Sequence, residues 1–352
     1  MSLSRLKSAR LLRGLSLRDL TALTEGQISQ PSLSRYERGG NLPEPDKLRL
    51  LARVLGLSVD YFLRKPAELG KVEFRKKSRL GKKAQEQILE QTRDFLERYL
   101  EAEHLLSRSS DKLPRYEKPV STPEEAEQAA SELRRQWKLG LNPIHSIVEE
   151  LEANKIRVLG IAADDKFDGL ASRPESEHAF VVFNNDPAHK PIDRQRFTLL
   201  HELGHYYMEI PEGHDDEPIV NRFAGAFALP EPVMKDRLGN SRKRIHPTEL
   251  LGLKKEFGLS IGALLYRAKD LKIINDYTYQ QACIKLNFLG WRGKHKEPAV
   301  FIGDEQPTRL LEMLARGIIE ETISTSKAAQ LYGMKTGEFR HVLLNGPGLQ
   351  YE

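Results

Sequence analysis

The stretch Arg196-Phe-Thr-Leu-Leu-His-Glu-Leu-Gly-His205 carries the strongest structural signal in this chain. Residues four apart lie on one face of a helix, so the imidazoles of His201 and His205 can reach a single ion. Glu202 then falls beside the open coordination position. Because the turn that precedes His201 is apolar, we expect this helix to be buried. The stretch therefore predicts a metal centre on a core helix.

Zinc suits such a centre, because it accepts neutral imidazole and carboxylate ligands and leaves one position for water. Cys283 is the only cysteine, so no intramolecular disulfide can form and a metal site must use histidine and carboxylate ligands. With Zn2+ bound, Glu202 is predicted to act as general base toward a water molecule that attacks a polarised carbonyl. The motif thus predicts metal-dependent hydrolysis.

A third ligand is expected a short loop downstream, in the acidic cluster His214-Asp-Asp-Glu217. Glu217 and Asn221 lie four residues apart at the start of the next predicted helix. Glu217 is the favoured metal ligand, and Asn221 is predicted to hydrogen-bond a ligand imidazole. Pro218 disfavours helical geometry in the residue before it, so Asp216 and His214 remain alternative ligands.

Further segments extend this pattern: Glu217-x-x-x-Asn221-Arg-Phe-Ala224, Ala228-Leu-Pro230 and, upstream, Glu132-Leu-Arg-Arg-Gln-Trp-Lys-Leu-Gly140. Together with the first stretch they resemble the ImmA/IrrE family of zinc metallopeptidases, over roughly residues 120–270. The resemblance implies a zincin-like, gluzincin-type site in which His201, His205 and Glu217 bind zinc and Glu202 is the general base. It also implies a protein substrate, a DNA-binding repressor or an antitoxin-like protein that is cut at a specific site.

The first 64 residues have the spacing of five short helices. Ser16-Leu-Arg-Asp19 has the form of a capping box, and Ser29 precedes a segment whose Pro31 fits only a first helical turn. Two of these helices are joined by a turn at residues 25–28. The apolar residues predicted to pack inward around this turn are Leu17, Leu20, Leu23, Ile28, Leu33 and Tyr36.

The helix after this turn presents polar side chains outward. Glutamine can pair bidentately with adenine and arginine with guanine, so Gln30 and Arg35 are the predicted base-reading residues. The run Gln30-x-x-Leu-Ser-Arg-Tyr-Glu-Arg-Gly39 resembles the Xre/Cro-type helix-turn-helix, which implies double-stranded DNA as a partner. The predicted DNA-contacting residues are Ser29, Gln30, Pro31, Ser32, Ser34, Arg35 and Arg38.

Positive charge is concentrated at the N-terminal end. Residues 1–83 hold 19 Lys and Arg against 8 Asp and Glu, whereas the remainder has a small acidic excess. This asymmetry is typical of a nucleic-acid-binding module. Apolar runs are far shorter than the roughly 20 residues that a membrane span requires, and no signal-peptide stretch is present. The chain is therefore expected to be cytoplasmic, with no membrane partner.

The predicted fold class is α+β and mostly helical, with a zincin-like domain that contains a small sheet. The predicted domains are an Xre/Cro-type helix-turn-helix domain (1–65), a basic linker and connecting helix (66–118), an ImmA/IrrE-like zinc metallopeptidase domain (119–280) and a helical C-terminal region (281–352). Residues 320–333 of the last region faintly resemble a second helix-turn-helix or an antitoxin-like helical module, but a plain helical dimerisation or cap element is the favoured interpretation. The connecting helix can also form a dimer contact, so a homodimer is a further expectation.

Together these features predict a DNA-binding regulatory zinc metalloendopeptidase that cleaves a repressor or antitoxin-like partner to control transcription. The strand predicted at Phe180–Asn184 could offer an edge to an extended substrate, or it could be a core strand. The alternative is a transcriptional regulator or an antitoxin whose zinc site is structural or sensory, without turnover. That alternative predicts metal-dependent operator binding and no proteolysis.

Overall fold

The computed structural model describes residues 4–63, 80–106, 115–172, 178–291, 293 and 296–346. These residues form two compact units. Residues 4–63, 80–106 and 310–346 belong to the first unit, and the described residues between 115 and 309 belong to the second. The predicted domain boundary at residue 65 and the basic segment 66–79 lie outside the described residues.

Five short helices build the N-terminal part of the first unit, as the sequence predicts: α1 Ser4–Leu12, α2 Leu17–Leu23, α3 Gln30–Glu37, α4 Pro45–Leu55 and a 3-10 helix, Val59–Leu63. The capping box is present, because Ser16 Oγ accepts the Asp19 N–H and the Asp19 carboxylate accepts the Ser16 N–H. Pro31 lies in the first turn of α3, where a missing N–H costs no helical hydrogen bond.

The packing of α2 and α3 differs from the prediction at one position. Leu20 and Leu33 are fully buried, but Leu23 is 46 % exposed, so its predicted inward packing is wrong. A spacing of three residues drifts about 60° around a helix at each step, which carries Leu23 away from the face of Leu20. A polar contact fixes α3 instead: Arg10 of α1 donates to both Glu37 carboxylate oxygens, at 2.6 and 2.9 Å.

The predicted connecting helix is α5, Lys82–Leu105, which packs against α1. Its buried face includes Ile88, Phe95 and Tyr99, and Arg5 of α1 forms an ion pair with Glu97. This contact makes α5 part of the same body as the N-terminal helices. Within the part of the chain that the structure describes, no helix combines the length and apolar character that a bilayer crossing needs.

The second unit is built from helices and one small sheet: α6 Pro123–Gln136, α7 Ile147–Ala153, β1 Arg157–Ile161, β2 Gly169–Ala171, β3 Phe180–Asn184, α8 Ile192–Tyr207, α9 Asp216–Ala228, α10 Glu231–Leu238, α11 Pro247–Phe257, α12 Ile261–Asp270 and α13 Asp276–Phe288. The strand order is β1-β3-β2, with β3 parallel to β1 and antiparallel to β2. The fold class is therefore α+β and mostly helical, as predicted.

Strand β3 is the centre of this sheet, and all five of its residues are buried. Of the two interpretations of Phe180–Asn184, the core strand is confirmed and the edge is wrong, because β2 occupies the second side of β3 and pairs Gly169 with Phe183. Strand β2 is not predictable from the sequence, because its three residues are too few to display an alternating pattern. Because β2 is an outer strand that also packs on α8, it is the sheet edge beside that helix.

Helix α8 is the core helix of the second unit. Twelve of its sixteen residues are buried, and it packs on α7, β2, β3 and α9. This burial agrees with the apolar turn that precedes His201 in the sequence. The site residues of α8 are therefore held by a rigid element.

Residues 297–309, here called the closing segment, complete the second unit beyond the predicted end at residue 280. The Glu297 carboxylate accepts the N–H of Ile261 at the start of α12, at 2.9 Å. At the other end of the segment, Glu152 of α7 accepts the N–H groups of Thr308 and Arg309, both at 3.1 Å. These hydrogen bonds explain why the predicted region 281–352 is divided between the two units.

Three C-terminal helices belong to the first unit: α14 Arg309–Ile319, α15 Thr325–Tyr332 and α16 Thr336–Asn345. They are joined to α5 by specific contacts. Arg98 donates to the carbonyl of Leu331 at 2.9 Å, and Lys327 forms an ion pair with Glu101. The helix α5 thus contacts both the N-terminal helices and the C-terminal ones.

Candidate metal centre and nucleic-acid interface

His201, Glu202 and His205 occupy the middle and the last turn of α8. His201 is 2 % exposed and Glu202 is 4 % exposed, whereas His205 is half-buried. The helical spacing brings the two imidazoles to one side, and their Nε2 atoms lie 3.0 Å apart. The pair therefore converges on one point instead of spreading into solvent.

Glu217 joins this pair from α9. Among the described residues, His201, His205 and Glu217 form a group that could hold a metal ion. Their ligand atoms all lie within 4.8 Å of one another. The alternatives His214 and Asp216 are both exposed, and His214 Nδ1 lies 3.3 Å from the carbonyl of Pro211. Glu217, the favoured ligand, thus lies beside the two histidines, whereas His214 and Asp216 lie on the surface.

Pro218 does not displace Glu217 from the helix. Helix α9 begins at Asp216, with Asp215 as its N-cap, so Pro218 is the third residue of the first turn. The first N–H groups of a helix have no partner within it, and proline there loses nothing. The local rule that residues before proline avoid helical geometry is overridden at this helix start.

Asn221 orients the first imidazole. Its Oδ1 lies 2.9 Å from Nδ1 of His201. An amide oxygen can only accept, so Nδ1 carries the proton and Nε2 keeps its lone pair for a ligand role. Asn221 is one turn after Glu217 on α9, so a single helix supplies both the carboxylate and the group that fixes the tautomer.

A glycine between the two histidines lets α9 approach this closely. A Cβ on Gly204 would lie 3.0 Å from side-chain carbons of both Val220 and Phe223 on α9. Glycine within a helix costs roughly 1 kcal/mol relative to alanine, so its presence is explained by this close packing. The motif alone does not mark Gly204 for this role, because its contact with α9 joins two separate helices.

A second glycine brings the edge strand onto Glu202. A Cβ on Gly169 of β2 would lie 2.9 Å from the carbonyl oxygen of Val182, 2.8 Å from Thr198 and 3.1 Å from the Glu202 Cγ. Any larger side chain at position 169 would push against the stem of the glutamate. The absence of a side chain at Gly169 thus keeps the Glu202 carboxylate close to the sheet edge.

The donor set fits zinc. At a Zn–N distance of roughly 2.0–2.1 Å, two ligand atoms of a tetrahedron are separated by roughly 3.4 Å, which is close to the observed separation of the imidazole nitrogens. One bare Nε2 fixed by a hydrogen bond, a second imidazole and a carboxylate form the His2Glu ligand type that leaves one position open. His201, His205 and Glu217 are thus the residues that could hold the ion.

Helix α8 is anchored one turn and a half before His201. Arg196 and Glu305 of the closing segment are both buried and form an ion pair at 2.5 Å. The Glu305 carboxylate also accepts the N–H groups of Ile147 and Val148 at the start of α7, and the Arg196 guanidinium lies 4.2 Å from the ring centre of Phe301. Sequence reasoning missed this pair, since 109 residues separate its members and no local pattern marks Glu305.

Helix α9 is anchored by a second charged cluster next to Asn221. Arg222 and Arg267 both donate to the Glu127 carboxylate, at 2.5 Å each, and Arg222 also pairs with Asp270. Burial alone raises the pKa of Glu127, but the two guanidinium groups outweigh it and hold the pKa below its usual value. The cluster therefore joins α6, α9 and α12 through an ionised carboxylate.

The predicted DNA-contacting residues all belong to α3 or to its two caps, Ser29 and Arg38. Leu33 and Tyr36 of α3 are buried, whereas the predicted contact residues lie at or near the surface. Exposed among them are Ser29, Gln30, Pro31, Arg35 and Arg38, and partly exposed are Ser32 and Ser34. Because Glu37 is engaged by Arg10, its negative charge is neutralised within the domain.

Comparison with protein families matches two segments of the chain. Residues 6–62 match the helix-turn-helix family model, and residues 168–269 match the peptidase family of IrrE N-terminal-like domains. The chain joins a helix-turn-helix domain to an IrrE-like domain. The IrrE-like match begins at β2 and ends in α12, so it contains α8 and α9 with all residues of the candidate centre. Searches of curated proteins and of solved structures gave no match.

A helix-turn-helix domain and a peptidase-family domain together indicate a DNA-binding protein with a protease-like domain, as the sequence resemblance implies. The helix-turn-helix match contains α1 to α4 and the exposed face of α3. The IrrE-like match excludes α6, α7, β1 and the closing segment, which pack into the same unit. The functional domain of this chain is thus larger than the matched segment.

Proposed function

We propose that this chain is a DNA-binding regulatory zinc metalloendopeptidase that cleaves a specific repressor or antitoxin-like protein and thereby controls transcription. The observation that carries the proposal is that the ligand atoms of His201, His205 and Glu217 lie within 4.8 Å of one another. Glu202 lies on α8, the helix that carries both histidines. A site built to hold zinc for structure alone needs no carboxylate beside its ligands. Glu202 therefore favours turnover over a purely structural metal.

In this proposal each residue has a defined task. His201, His205 and Glu217 hold Zn2+, which supplies Lewis-acid chemistry that polarises a peptide carbonyl. Glu202 takes a proton from the attacking water and passes it to the leaving amine. Asn221 keeps the His201 imidazole in the tautomer whose Nε2 is free to bind.

The substrate is proposed to lie along β2. An extended peptide can add a strand to a sheet edge through backbone hydrogen bonds, and β2 is the outer strand that contacts α8. Because Gly169 adjoins the Glu202 stem, a peptide on that edge passes close to the general base. The central strand β3 cannot take this role, because both of its sides are already paired.

The helix-turn-helix domain is proposed to bind double-stranded DNA through Gln30, Arg35 and the other exposed residues of α3. Proteins with this motif commonly bind paired half-sites as dimers, so we include a homodimer in the proposal. We also propose that the protein acts in the cytoplasm, where the DNA of a cell without a nucleus lies. DNA binding would then place the peptidase beside a DNA-bound substrate.

The test uses the full chain and the protein encoded by the adjacent gene as substrate. Zinc content is measured on the same samples, with and without chelator. The wild-type protein is expected to bind about one zinc and to make a single cut that chelator abolishes. E202Q should keep its zinc and lose cleavage by at least about 100-fold, as expected when a general base is removed. The control E212Q changes an exposed glutamate in the next loop and should cleave normally.

Two outcomes contradict the proposal. Cleavage by E202Q at the wild-type rate would remove Glu202 from the role of general base. Zinc binding without cleavage of the adjacent protein, combined with metal-dependent DNA binding, would favour the regulator with a sensory metal instead.

A further inference from the structure

Helices α15 and α16 form a helix-turn-helix in the C-terminal part of the first unit. Three residues, Gly333 to Lys335, join them, and Gly333 has a φ of 87°, a left-handed conformation that glycine adopts without strain. A turn of three to four residues that contains glycine is typical of this motif. Ser324 caps α15 by accepting the N–H of Lys327 at 3.2 Å.

The two helices have a clear inner and outer side. The inner side is apolar and buried, with Ala328, Ala329 and Leu331 on α15 and Phe339 and Val342 on α16. The outer side of α16 begins with exposed Lys335, continues with half-buried Thr336 and has exposed Arg340 just over one turn later. The two exposed cations thus lie at the N-cap and in the N-terminal half of the second helix.

The charge on this motif is positive. Between residues 322 and 346 the chain has Lys327, Lys335 and Arg340, and the single acidic residue is Glu338. The Glu338 carboxylate accepts the backbone N–H of Lys335 at the start of α16, at 3.4 Å. Lys327 is paired with Glu101, so Lys335 and Arg340 are the cations that the outer side presents.

We propose that α15 and α16 form a second DNA-contacting element, in which Lys335 and Arg340 meet phosphates of duplex DNA. Recognition helices of this motif use their N-terminal residues, which is where α16 carries Lys335 and Arg340. Exposed Leu344 lies one helical turn after Arg340, in the last turn of α16. The exposed cations come earlier, at the N-cap and in the first half of the helix, and this is the part that we expect to meet a polyanion.

Attachment to α5 makes this element part of the DNA-binding body. Arg98 and Glu101 of α5 hold α15, and Glu97 holds α1 through Arg5. The spacing between the two helix-turn-helix elements is therefore set by a rigid helix, and not by a flexible linker. The inference extends the proposed DNA binding from α3 to a second place on the duplex.

The test measures binding of the full chain to a fluorescein-labelled 40-bp duplex of random sequence over a series of salt concentrations. Each phosphate contact contributes about 0.9 to the slope of log K against log salt. K335A/R340A is therefore expected to lower that slope by about 1.8 and to weaken binding at least about tenfold at 0.1 M salt. The matched control K272A/R316A removes two exposed cations outside both helix-turn-helix elements and should change neither quantity.

The outcomes separate this inference from the role proposed for α3. R35A/R38A tests α3 alone, so its failure to weaken binding would count against α3 and leave α16 to be judged by K335A/R340A. If K335A/R340A has the slope and affinity of the control, the second DNA contact is refuted. An unchanged affinity with an altered sedimentation mass would also refute it and would assign this face to protein association.

Discussion

Replacing Asn221 by alanine tests the geometry of the metal centre most directly. The 2.9 Å hydrogen bond from His201 Nδ1 to Asn221 Oδ1 is lost, and the protonated ring nitrogen is left without this acceptor. Leaving a buried hydrogen-bond donor without its acceptor costs about 1–3 kcal/mol, and each 1.4 kcal/mol corresponds to a tenfold change in an equilibrium constant. The expected loss of zinc affinity in N221A is therefore about 10- to 100-fold, the range typical of such supporting groups.

The assay is a competition titration of zinc between the protein and a chromophoric chelator, so it does not depend on the substrate. A parallel measurement follows thermal unfolding with and without zinc. A ligand that binds only the folded state stabilises it in proportion to the logarithm of its affinity, so a 30-fold weaker site should lose about 2 kcal/mol of zinc-induced stabilisation. The apo proteins should unfold at similar temperatures.

Two further variants make the result specific. N221D keeps an oxygen acceptor at the same place and is expected to bind zinc at least as tightly as the wild type. N240A removes an exposed asparagine in the second unit and should have no effect. The reasoning is refuted if N221A binds zinc like the wild type, or if N221D loses as much affinity as N221A.

Three other predictions concern the supports of the site. E305A leaves the buried Arg196 guanidinium unpaired and should lower the free energy of unfolding by about 3–5 kcal/mol in urea titrations, whereas E320A, in an exposed pair, should cost under about 1 kcal/mol. Because the pKa of Glu127 is held below its usual value, its ionised carboxylate stabilises the fold above about pH 4.5, and this stabilisation is lost as pH falls through the pKa of the folded state. The free energy of unfolding of E127Q should therefore decline less steeply than that of the wild type between about pH 5 and 3, and an equally steep decline would contradict the ion pair. G204V forces α8 and α9 apart and should weaken zinc binding in the chelator assay more than it lowers the unfolding temperature of the apo protein; equal zinc affinity would show that the contact does not set the site.

The helices with strong local patterns were predictable from the sequence. The spacing of His201 and His205 predicts the buried face of α8, and the Ser16 capping box marks the start of α2, because both signals lie within one or two helical turns. At Glu217 the sequence alone left three candidate ligands. The structure brings Glu217 to the imidazoles because a proline is harmless in a first turn, a positional detail that depends on where α9 begins.

The remaining elements depend on contacts between distant residues. Strand β2 has three residues, so it is stabilised by pairing with β3 and not by its own pattern. The close approaches at Gly169 and Gly204 become visible only once β2 and α9 lie against α8. The apolar spacing of α10, α13 and α16 is too weak to predict the boundaries of these helices from the sequence.

The buried Arg196–Glu305 pair sets the shortest piece of this chain that is worth purifying. A fragment cut where the IrrE-like match ends would contain the three groups proposed to hold zinc, yet the guanidinium in its interior would have no counter-charge. Truncation there should yield aggregated or protease-sensitive material, which an experimenter could mistake for an inactive enzyme. A fragment that ends after residue 309 keeps the Glu305 carboxylate and is therefore the better choice for experiments on the isolated domain.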